Sequence, residues 1–118
     1  METVNLKEKF SLFSDYCNPR VIGEVNDCQV KAVKLKGEFI WHHHENEDEL
    51  FLVVKGTLRM KFRGHEAVVN GEFVVVSRGV EHCPAADEEV HIILIEPKST
   101  LNTGNITNER TVAQLERI

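Results

Sequence analysis

The chain has 118 residues, 42% of them apolar and 28% charged, with a formal charge of −5. That length and balance suit one globular domain spanning 1–118 and exclude a disordered chain. The acidic balance argues against nucleic acid, because phosphate binding wants a basic face. The longest apolar run, Leu50 to Val54, is far short of the ~20 residues that cross a bilayer.

The N-terminus carries charge where an export signal needs an apolar stretch. Cys17, Cys28 and Cys83 make an odd count in a chain without such a signal, so a reducing cytoplasm is expected and a disulfide framework is not. Leu6, Phe10 and Phe13 recur at helical spacing and predict a short amphipathic helix over 5–14. From Pro19 onward the pattern changes to short segments between turn residues. Strands are expected over 21–25, 30–35, 39–44, 50–54, 57–62, 67–69, 73–76 and 91–95. Leu58, Met60 and Phe62 alternate with Arg59, Lys61 and Arg63, the period of a half-buried strand. Asn70-Gly71 signals a tight turn. Many short strands without long intervening helices predict an antiparallel sandwich or barrel. The stretch after Pro97 is polar, and 108–118 reads as a short helix with Val112 and Leu115 on one face.

The segment from Gly37 to Gly56 carries the chemistry. Residues two apart on a strand share a face, so His42 and His44 project together, and Glu49 follows just before the next strand. Two imidazoles and a carboxylate are three arms of a metal site. His82, at the end of a tight loop running from Gly71 through Gly79, offers a fourth.

These segments resemble the paired motifs of the cupin family over roughly residues 30–96. In the first motif a glycine precedes His-x-His, then come three or four residues, Glu, six residues and a glycine. His42, His44, Glu49 and Gly56 keep that spacing, and Gly37 sits one residue closer than usual. In the second, Gly71, Gly79 and His82 match, while Ser77 replaces a proline and Ala86 an asparagine. The resemblance implies an all-β double-stranded β-helix, a jelly-roll barrel, with a short N-terminal helix. It implies that His42, His44, Glu49 and His82 are metal ligands at the barrel mouth, and that the chain forms homodimers. Imidazole and carboxylate ligands suit iron, manganese, cobalt, nickel or zinc.

Other residues have plainer readings. His43 points away from His42 and His44, and His65 is solvated in a turn. Strand parity does not place His91. Cys83 reads as a buried structural thiol, and the acidic run from Glu45 to Asp48 as a solvated loop. Arg59, Lys61 and Arg63 form the wet face of their strand, whereas Phe39, Trp41, Phe51 and Met60 belong to the core. Four protein ligands on a six-coordinate ion leave two positions for a small oxygen-bearing molecule, the arrangement of a dioxygenase or an isomerase. Sugar-phosphate isomerases belong to the same superfamily, but no phosphate-binding motif is present. No clear general base or partnered nucleophile is visible either, and a non-catalytic module that binds or senses a small ligand or metal satisfies the same residues.

Overall fold

In the computed structural model, which describes residues 1–118, Asn5 caps a six-residue helix α1, Leu6–Ser11, by accepting a hydrogen bond from the Glu8 amide at 3.0 Å. The helix is shorter than the spacing of Leu6, Phe10 and Phe13 predicts. It stops at Leu12, so Phe13 is buried from outside the helix and Leu6 stays partly exposed.

Seven antiparallel strands follow: β1 Arg20–Val25, β2 Cys28–Glu38, β3 Glu49–Lys55, β4 Leu58–Phe62, β5 His65–Val69, β6 Phe73–Val76 and β7 His82–Pro97. Their order is β1-β2-β7-β3-β6, with β4 joining β7 to β5. Strand β7 joins the two sides of the barrel by changing partners. Its first part, His82 to Ala85, pairs with β4, its later part pairs with β3, and β2 runs beside it on the other side. The single short strand expected at 91–95 is therefore the second half of a 16-residue strand. Its first half escapes sequence reading because Cys83-Pro-Ala-Ala-Asp-Glu-Glu lacks β-branched residues.

Alternation along the strands sorts the side chains into two layers. Val33, Leu35, Phe51, Val53, Ile92 and Leu94 point inward and join Leu58, Met60, Val76 and Val90 in the main core. The opposite face of β2 and β7 presents Ala32 and Ile93, which Phe10, Phe13 and Ile22 cover. The helix thus plugs the outside of the sheet and leaves the interior to the site.

Two expected elements are absent. Residues 39–44 form no strand; a single antiparallel bridge joins His42 to His82. Residues 108–118 form turns rather than a helix. There, polar side chains compete for the backbone: Asn102 Oδ1 accepts from the Val112 amide at 2.8 Å, and Thr111 Oγ1 accepts from the Asn108 amide at 3.0 Å. The chain end docks on β1, where the Ile118 amide donates to the Val21 carbonyl.

Arg59 and Lys61 on β4, and Arg63 just after it, do form a wet face. They pair with Glu66 and Asp87, Glu38, and Glu81 respectively. Glu81, next to His82, therefore faces away from it.

Candidate metal centre

Glu49 opens β3 and His82 opens β7, whereas His42 and His44 lie on the extended segment between β2 and β3. His42 and His82 exchange backbone hydrogen bonds, amide to carbonyl, at 3.0 and 2.9 Å, and the Gly79 amide donates to the His44 carbonyl at 2.7 Å. The two motif loops are thus tied together at the candidate ligands themselves. All four side chains are buried, with His82 fully so.

The polar tail contributes to this assembly, although no sequence pattern points to it. Asn105 brackets His43: its Oδ1 accepts from the His43 amide at 2.9 Å, and its own amide donates to the His43 carbonyl at 3.0 Å. Gly104 adopts φ +58°, and a Cβ there would collide with the His43 carbonyl and lie 3.0 Å from the His42 ring. The backbone of the tail is pressed against the two-histidine segment as closely as a glycine allows.

The nitrogens face one point. A backbone carbonyl only accepts, so the 2.9 Å contacts of His42 Nδ1 with the Ile40 carbonyl and of His82 Nδ1 with the Val80 carbonyl place a proton on each Nδ1. Each Nε2 is left with a free lone pair, the arrangement found in metal-ligating imidazoles. Glu49 Oε1 lies 2.8 Å from His44 Nε2 and 3.2 Å from His82 Nε2. These contacts are close but misdirected, and all three atoms are buried without a hydrogen-bond partner. Orphaned buried polar atoms are costly, and an ion among them removes the cost. One ligand atom from each of His42, His44, Glu49 and His82 lies within 4.8 Å of the others. Ligands at ~2.1 Å from a shared ion are at most ~4.2 Å apart, so the set fits a divalent metal after shifts of a few tenths of an ångström.

Electrostatics prepare the donors. Burial, reinforced by neighbouring His82, lowers His42 to about 4, so its ring is neutral and ready to ligate near pH 7. Burial alone would raise Glu49, but the adjacent His44 and His82 prevail and hold it below the usual carboxylate range.

Two further buried charges stand beside the site. Glu96 on β7 and Lys31 on β2 pair at 2.8 Å, each side chain almost wholly buried. Burial and the neighbouring Glu49 carboxylate push Glu96 well above its usual range, and Lys31 opposes them. Sequence reasoning missed this pair. The available signal is parity: Glu96 continues the inward series Val90, Ile92, Leu94, and Lys31 begins the series continued by Val33 and Leu35. A cavity of about 60 Å³ reaches the site on the side of His42, Glu49 and Glu96, between apolar walls that include Val33, Leu35, Phe39, Phe51, Ile92 and Leu94.

The remaining expectations sort as follows. Phe51 and Met60 are core, whereas Phe39 and Trp41 are only partly buried. His43 points away and meets Glu45 at 2.5 Å, and His65 is exposed, stacked on Phe62. His91 faces outward, stacked on Phe10 and paired with Glu89. Cys83 is buried, and burial pushes its thiol up to about 11, which suits an inert structural cysteine. The acidic loop is less idle than expected. Asp48 accepts from the Arg78 amide at 2.8 Å and from its guanidinium, which ties it to the loop before His82, and Glu47 lies 4.0 Å from His44 Nδ1.

An antiparallel jelly-roll barrel with three histidines and a glutamate at its mouth is the architecture of a cupin. The Cupin domain family model matches residues 31–96, and the chain belongs to that family. It is 49% identical to a cupin-2 domain containing protein from Shewanella frigidimarina, with a TM-score of 0.79 over 80% of this chain and 94% of that one. It is 31% identical to protein NMB1881 of Neisseria meningitidis, with a TM-score of 0.75 over 82% of this chain and all of that one. A Bacillus subtilis relative, the uncharacterized protein YdbB, is 37% identical over 79 residues, which are 65% of this chain and 64% of YdbB. The DMSP lyase DddQ of Ruegeria pomeroyi, 18% identical with a TM-score of 0.55 over 66% of this chain and 44% of its own, shares the fold. No helix is long and apolar enough to cross a membrane.

Proposed function

We propose that His42, His44, Glu49 and His82 bind one divalent transition metal, among iron, manganese, cobalt, nickel and zinc, and that the protein is a metal-dependent enzyme acting on a small oxygen-bearing molecule. The observation that carries this reading is the convergence of three orphaned buried atoms, His44 Nε2, Glu49 Oε1 and His82 Nε2, beside a cavity. A bound ion would supply Lewis acidity at the positions its protein ligands leave open. The chain's own residues do the rest. His42 and Glu49 face the cavity, the apolar walls exclude water, and Glu96 is a carboxyl within reach of a bound molecule. Dioxygenase and isomerase chemistry both suit such a site.

One observation favours a second reading, a non-catalytic module that binds or senses a small ligand or the metal. The cavity walls are mostly apolar, and apart from His42 and Glu49, Glu96 is their one titratable carboxyl or imidazole. The two readings share the metal and differ in what Glu96 does.

A homodimer and a reducing compartment complete the proposal. Phe73 and Val75 on β6 pair with Leu52 and Leu50 of β3, and with Val54 they leave an exposed apolar face suited to a second copy. All three cysteines are free. The test of the open site is a cobalt(II)-loaded protein titrated with oxalate. A saturable change in the visible spectrum with cobalt retained supports a substrate-accepting centre. An unchanging tetrahedral spectrum would identify a closed structural site and end the enzyme reading.

A further inference from the structure

A buried ion pair is expensive, and it persists only where geometry and function justify it. Lys31 and Glu96 pair inside the barrel, with side chains 2% exposed each. The pair is also incomplete. Glu96 Oε1 accepts from Lys31 Nζ at 2.8 Å, whereas Oε2 is buried with no donor. The same carboxyl lines the cavity, alongside His42 and Glu49. A largely apolar cavity that carries this unsatisfied oxygen is a recognition device: a ligand that covers Oε2 must bring a polar hydrogen to it or leave it stranded.

We propose that Glu96 is the specificity-determining residue of the cavity, and that Oε2 receives the hydroxyl of a small 2-hydroxy acid whose carboxylate and hydroxyl oxygens face the metal centre. This rests on the metal reading above and narrows it. A hydroxyl suits the position because it both donates and accepts, so it satisfies Glu96 whether or not the carboxyl carries a proton. Lys31 is the positioning residue. By holding Oε1 it fixes one oxygen of the carboxyl and leaves Oε2, beside Glu49, for the ligand. Short alkyl substituents fit the wall formed by Val33, Leu35, Phe39, Ile92 and Leu94.

The test uses cobalt(II)-loaded full-length protein, with lactate as the probe and azide as a control that occupies the metal without reaching Glu96. Glu96→Leu alone would strand the Lys31 charge and risk unfolding, so the main variant is the double substitution Lys31→Met with Glu96→Leu, which removes both charges. Glu96→Gln serves as the second variant and decides the matter if the double variant does not fold. The expected result is a loss of lactate affinity of roughly 10- to 100-fold in the double variant, the worth of a hydrogen bond to a charged group. Glu96→Gln should fall in between, and cobalt content and azide binding should hardly move. Wild-type protein that binds azide but not lactate overturns the assignment and leaves the metal centre standing, as does lactate affinity that is unchanged in the variants. Equal weakening of lactate and azide also overturns it, because Glu96 would then act only through the metal. Failure of the wild-type protein to take up cobalt is a separate outcome that removes the metal reading itself.

Discussion

Two layers of the same barrel, one residue pair apart on the same strands, have opposite chemistry. In the deeper layer Val33, Val53 and Ile92 share one cross-strand row, and Phe51 and Leu94 the next; Glu49 and Glu96 occupy the following inward positions toward the mouth, where Lys31 reaches Glu96 and His42, His44 and His82 join them. The strands, pairing and parity are shared, so the fold does not require the difference. The deep layer stabilises the barrel by removing apolar surface from water. The mouth layer buries several ionisable groups, which stability alone would not select. In this molecule the candidate metal centre begins where the inward alternation stops being apolar.

The largest effect that sharpens the contrast comes from the deep layer. Phe51→Ala should cost about 3–5 kcal/mol by opening a cavity in a packed core. Urea unfolding measures it, and the folded fraction should still bind metal. A loss below about 1 kcal/mol would mean that this layer is loosely packed and the division into layers is false.

The mouth layer should reveal itself through pH. His42 titrates at about 4 in the folded protein and near 6.5 in an unfolded chain. The unfolded chain therefore takes the proton first. The stability contributed by a neutral His42 is complete above pH 6.5 and is lost as the pH falls toward 4, by on the order of 3 kcal/mol in total. Glu49, held below its ordinary range, adds a loss of the same sign at still lower pH. Urea midpoints of metal-free protein at pH 7 and pH 4.5 check this, and His42→Ala should flatten the slope. Equal midpoints for the wild-type protein would contradict the burial argument.

A smaller effect joins the tail to the mouth. Gly104→Ala pushes a methyl group against the His43 carbonyl and the His42 ring, and it should weaken metal binding by roughly 10–100-fold, as loss of an outer-shell support does. Competition with a chelator reads the affinity. An unchanged value would show that the tail merely covers the site.

The deep layer and the candidate ligands were legible in the sequence for different reasons. Strict alternation at Leu58, Met60 and Phe62 announced a strand, and the family spacing placed His82 beside His44, which no local pattern can do. Residues 39–44 misread as a strand because His42 and His44 do share a face, yet their backbone bonds to His82 and Asn105 instead of to a neighbouring strand. The tail misread as a helix because Val112 and Leu115 have helical spacing while Asn102, Thr103 and Thr111 capture the backbone and one another. Lys31 and Glu96 were invisible because charged residues in strands ordinarily face water, and only the long pairing of β2 with β7 fixes them inward.

Metal stoichiometry tests the division of the barrel most directly. Elemental analysis of dialysed protein should give about one divalent ion per chain for the wild type and for His43→Ala, whose ring points away from the cluster. The double substitution His42→Ala with His82→Ala should give almost none while retaining its circular dichroism spectrum, since a core of this size does not depend on a metal for folding. Full metal content in the double variant, or its loss in His43→Ala, would contradict the assignment of the mouth layer as a metal centre.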